Sequence, residues 1–94
     1  MNLSTVSGVG PVLSKGELAE AFVCAIREQN ASAHIIDGGA YYRVEVYPRC
    51  IITKETVEKY AKKSISFPMD LESVMPSFTG LLAFEEDSVT WSSQ

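Results

Sequence analysis

The 94-residue chain predicts an α+β fold: two βαβ-type half-units, with two main helices packed on antiparallel hairpins. Three observations carry that expectation. Leu18, Phe22, Val23 and Ile26 repeat at the 3.6-residue period of a helix. Gly38-Gly39 separates a short apolar run from an alternating one, as a tight hairpin requires. Thr53 precedes a second helical pattern whose far end carries Lys59, Lys62 and Lys63, the placement a helix dipole favours.

Taken in order, residues 1–8 are mostly small and polar and read as a mobile N-terminal arm, leaving residues 9–94 as one domain. Val9-Gly10-Pro11-Val12-Leu13 is a first strand that Pro11 confines to an edge or a strand end. Ser14 and Glu17 are spaced as a capping box, which predicts a helix over residues 15–29, with Asn30 as its stop and Ala21, Cys24 and Ala25 widening its apolar side. Residues 34–37 and 40–47 form the hairpin. Tyr42, Val44 and Val46 share one face, while Tyr41, Arg43, Glu45 and Tyr47 share the other and look toward water or a partner. Pro48 turns the chain into a short strand, Cys50-Ile51-Ile52. Thr53 then caps the second helix, and Asp70 caps a short helical turn that Pro76 ends. Residues 79–84 and 88–91 close the chain as a last hairpin around Glu85-Glu86-Asp87.

Composition narrows function by exclusion. With 46% hydrophobic residues the chain is no disordered tail, and eight Lys+Arg against twelve Asp+Glu, net −4, disfavour a phosphate backbone, so no nucleic acid is expected. No apolar run approaches the roughly 20 residues of a membrane span, and the first residues lack the pattern of a signal peptide. A cytoplasmic protein with no membrane contact and no disulfide framework is the expectation, with a single Cys24–Cys50 bridge left open.

Candidate chemistry is sparse. His34 is the single histidine and reads as a strand residue, so neither a metal site nor a metal cofactor is expected. Cys24, within an amphipathic helix, reads as a buried and inert thiol. Cys50 beside Arg49 has a slightly better electrostatic case as a nucleophile, but no base stands at a recognisable spacing. Gly8-x-Gly10 lacks the third glycine and the lysine of a phosphate loop, and three adjacent acids at 85–87 do not space the oxygens of a calcium site. What remains is Met75-Pro76-Ser77-Phe78-Thr79-Gly80, a loop mixing large apolar and small hydroxyl side chains. Phe78 either plugs the core or presents itself to a partner protein, since interface cores favour aromatics and Met.

Several segments together resemble a known family. Val9-Gly10-Pro11-Val12, Gly16-Glu17-Leu18, Ala40-Tyr41-Tyr42-Arg43, Ile52-Thr53-Lys54-Glu55-Thr56-Val57-Glu58, and Leu71-Glu72 through Pro76-Ser77-Phe78-Thr79-Gly80 keep the order and spacing of the regulatory proteins of bacterial multicomponent di-iron monooxygenases. These are the effector or coupling proteins of methane, phenol, toluene and alkene oxidation, and the resemblance runs from about Val9 to Trp91. It implies a non-catalytic protein without cofactor, monomeric when free, that docks on a separate di-iron hydroxylase near its active-site entrance. By the same resemblance Met75, Pro76, Ser77, Phe78, Thr79 and Gly80 would supply the main contacts, and Tyr41 and Arg43 further ones. Both ends are short, so no role of a long N-terminal tail carries over. A domain that binds a small ligand between helix and sheet is the alternative.

Overall fold

The computed structural model describes residues 8–93. Its elements are β1 (Gly10–Ser14), α1 (Glu17–Gln29), β2 (His34–Asp37), β3 (Tyr41–Glu45), β4 (Arg49–Thr53), α2 (Lys54–Ala61), α3 (Met69–Glu72), β5 (Ser77–Thr79), β6 (Leu81–Phe84) and β7 (Ser88–Ser92). They build the expected α+β architecture, with two antiparallel sheets of order β2-β3-β1-β5 and β4-β7-β6. The expected N-terminal arm falls outside the described residues except for Gly8, which is half-buried against Glu45 and Val46.

Strand alternation decides what each sheet buries. Leu13 and Val44 on the first sheet, and Cys50, Trp91, Ile52 and Val89 on the second, point into a common core with Phe22 and Ile26 of α1. Phe67, from the connector after α2, stacks on Phe22 and meets Phe84 edge-on, both with centroids 6.4 Å apart, tying α1 to β6.

Several local expectations are corrected. Ser14 does not open α1: it is still in β1, donating its N–H to the Val74 carbonyl at 2.8 Å, and the helix begins at Glu17 after Gly16, without a side-chain cap. Tertiary pairing of the strand outcompetes the local capping box. Pro11 is not on an edge strand, because β5 pairs with the other side of β1, though it does sit near the strand's start. Its missing N–H falls where β1 and β3 would otherwise bond, between the Val9–Val46 bridge and the Val12–Arg43 pair. Cys24 is exposed, whereas Ala21 and Ala25 are buried, so the apolar stripe of α1 is narrower than expected. In the β2–β3 hairpin Gly38 N–H bonds to the Tyr41 carbonyl at 2.8 Å, so the turn residues are Gly39 and Ala40 rather than Gly38 and Gly39, and only Gly39 needs positive φ, 91°. Asp70 lies inside α3 behind Pro68. Its carboxylate accepts from the Ser66 amide at 2.7 Å.

Other expectations hold. Asn30 ends α1, and Thr53 caps α2 by accepting the Thr56 amide at 3.4 Å. Asn30 does more than stop a helix. Its side-chain amide donates to the Ile51 carbonyl at 2.8 Å and accepts from the Ile51 amide at 3.0 Å, while Gln29 Oε1 accepts from the Thr53 amide at 2.9 Å. The end of α1 thereby acts as a surrogate strand along the open edge of β4.

Candidate docking surface

The segment expected to be a loop contains β5. Ser77, Phe78 and Thr79 pair with Val12, Pro11 and Gly10, making β5 the edge of the four-stranded sheet. Gly80 follows with φ 104°, carrying the chain from one sheet to the other. A Cβ there would lie 2.8 Å from the Ser92 carbonyl oxygen and 2.8 Å from Val9 Cγ1, so the crossing requires glycine. Within the segment Met75 is half-buried against the core, whereas Pro76, Ser77, Phe78 and Thr79 are exposed. Phe78 is 43% exposed and does not plug the core.

Pairing register separates the expected contacts into two faces. Phe78 lies opposite buried Pro11 and so projects on the core side of the sheet, at its open edge. Arg43 lies opposite Val12, which lies opposite Ser77, and Tyr41 lies opposite Ser14, all on the outer side. Ile36 extends the Arg43 row onto β2. Sequence reading overlooked Val12 and Ile36 because neither strand's neighbour was known, although their alternation with Leu13 and Ile35 was visible.

A polar chain holds this sheet on α1. Lys15 Nζ lies 2.6 Å from Asp37 Oδ1 and 4.9 Å from the centre of the Tyr42 ring, whose hydroxyl donates to the Glu20 carboxylate. Asp37 is held below its ordinary pKa by Lys15 and then by the Gly39 amide. The Tyr42 hydroxyl is raised because Glu20 accepts its proton. A second group, Glu28 with Lys59 Nζ and the Tyr60 hydroxyl each at 2.6 Å, joins α1 to α2. Hydrogen bonds from Lys59 and then Tyr60 lower the Glu28 pKa.

Catalytic candidates gain little from these surroundings. Cys50 is fully buried, and burial pushes its thiol up to about 12, far from a nucleophilic thiolate at neutral pH. Cys24 and Cys50 are both free thiols. His34 is an exposed residue of β2, and among the described residues no three His, Cys, Asp or Glu side chains come together as a metal site. Two hollows of about 420 and 390 Å³ open between α2 and the 85–88 turn and between α1 and α2; the first is lined by polar and charged residues alone. Among the described residues no helix is long and apolar enough to cross a membrane.

Fold and surface thus define a small α+β protein that presents an edge aromatic and a mixed apolar and charged sheet face. The chain belongs to the MmoB/DmpM family, which matches residues 7–92, and the resemblance read from its segments is borne out. It is 29% identical over 85 residues, 88% of this chain and 83% of the relative, to the effector subunit of the alkene monooxygenase system of Xanthobacter autotrophicus. Among solved structures it is similar to a chain of a phenol hydroxylase–regulatory protein complex, with TM-score 0.83 and 17% identity, covering 95% of this chain and 100% of that one. A chain of a second such complex gives TM-score 0.74 and 20% identity over 92% and 96%. These likenesses show a shared fold.

Proposed function

We propose that this protein is the effector subunit of a multicomponent monooxygenase: it performs no chemistry, docks on the hydroxylase component near its active-site entrance, and changes how that enzyme reacts. The match of the MmoB/DmpM family to residues 7–92 carries this reading, and the effector role of the alkene monooxygenase relative supports it. The irons belong to the partner, and this chain needs no cofactor of its own. Ser77, Phe78 and Thr79, with Pro76 beside them, are the contacts on the β5 edge, placed by Met75 and Gly80 at either end. Tyr41 and Arg43 are contacts on the sheet's outer face.

A protein without reactive groups alters a rate only by binding one state of the enzyme more tightly than another, and each 1.4 kcal/mol or so of difference shifts that equilibrium about tenfold. Docking therefore favours the hydroxylase conformation that admits substrate and oxygen and couples electron use to product. An interface of about 1,600 Å² suffices to hold such a complex. Steady-state hydroxylation and peroxide release, measured with and without the purified chain, test the reading. Faster turnover and less peroxide in its presence are expected; equal values overturn it.

A further inference from the structure

Resting on that reading, we propose that the outer face of the four-stranded sheet, centred on Arg43, is a docking surface in its own right and meets a carboxylate of the hydroxylase framed by apolar side chains. The register sets Ile36, Arg43, Val12 and Ser77 side by side in one row across all four strands. Arg43 is exposed, with Ile36, 37% exposed, on one side and half-buried Val12 on the other. Tyr41, 41% exposed, follows on the same face of β3.

Charge identifies what fits there. Arg43, like every Lys and Arg except Lys15 and Lys59, makes no ion pair among the described residues, and Glu45 on the same face does not close on it; what sets it apart is its place between Ile36 and Val12. A cation left without an ion pair among the described residues and set between two apolar side chains is complementary to an acidic group with an apolar surround. One isolated cation is a poor match for a polyanion, whereas guanidinium and carboxylate pair in a fork, and the flanking Ile36 and Val12 exclude water from that pair once the surfaces close. Arginine and tyrosine in such settings are the residue types that dominate binding energy. Because Phe78 projects on the opposite side of the sheet, Arg43 can be altered without touching the Phe78 contact.

The test is binding of the full chain to the purified hydroxylase component, by calorimetry, at low and high salt. Arg43→Glu is expected to weaken binding about thirtyfold or more and to invert the salt dependence of this contact, since salt then screens a repulsion. Arg43→Lys, which keeps the charge but loses the fork, falls between, and Lys63→Glu, the same charge change on α2, leaves affinity within a few fold. Arg43→Gln serves if Arg43→Glu does not fold. A folded Arg43→Glu that binds like the parent chain overturns the proposed face while leaving the effector reading intact, as does equal weakening by Lys63→Glu. Failure of the parent chain itself to bind removes both.

Discussion

The strand edge sealed by Asn30 offers a quantitative test of how this fold is held. In Asn30→Ala the Ile51 amide and carbonyl lose partners at 3.0 and 2.8 Å, whereas the Ile26 carbonyl keeps the Asn30 backbone amide at 2.9 Å. Asn30 is 7% exposed, so water does not freely replace the lost groups. Each unsatisfied buried group costs about 1–3 kcal/mol, and partial access at a sheet edge places the pair at about 2–4 kcal/mol. For a domain of this size that corresponds to a fall of about 10–20 °C in melting temperature. Asn30→Asp separates geometry from chemistry: it retains an acceptor for Ile51 N–H but turns a carboxylate toward the Ile26 and Ile51 carbonyls. At neutral pH it is expected to be at least as unstable as Asn30→Ala, and to recover partly when acid restores a donor. Urea unfolding at several pH values measures both. A loss below about 0.5 kcal/mol in Asn30→Ala, the size of an ordinary surface change, would refute the surrogate-strand argument.

Phe78→Ala is expected to leave stability within about 0.5 kcal/mol, since the ring lies outside the core, and to reduce hydroxylase activation; circular dichroism with turnover reads both, and unchanged activation removes Phe78 from the contact set. Gly80→Ala is expected to cost about 1–3 kcal/mol or more, because it combines positive φ with contacts of 2.8 Å to Val9 and Ser92; an unaltered denaturation midpoint would mean the sheet crossing relaxes freely. Glu28 and Asp37 have pKa values below their ordinary 4.5 and 3.8, so their stabilisation is complete above those values and is lost as the pH falls through the lowered native ones. The denaturation midpoint should therefore hold from neutrality to about pH 5 and decline below it, with a shallower decline in Glu28→Gln; identical acid curves would refute the link.

Much of the fold was legible because its signals are local. Thr53 caps α2 from its own position, the β3 alternation from Tyr41 to Val46 follows from the strand's two-residue period, and Asn30 ends α1 where its backbone turns extended, its N–H and side-chain amide both meeting the Ile26 carbonyl. The candidate site was legible in part, as a segment of odd composition. Its shape was hidden because β5 exists only through pairing with β1, more than sixty residues earlier in the chain. Three apolar and hydroxyl residues after a proline carry no strand period of their own.

The same contrast runs through the whole molecule. The α+β class, both main helices, the hairpin turn region and the family were readable along the chain, since these rest on local spacing. Long-range packing keeps Ser14 in a strand, turns Cys24 to water, and sets Phe78 and Arg43 on opposite sides of one sheet. Which neighbour a strand or helix face meets is set by packing between distant segments, and a one-residue difference in register turns a side chain from the core to the solvent.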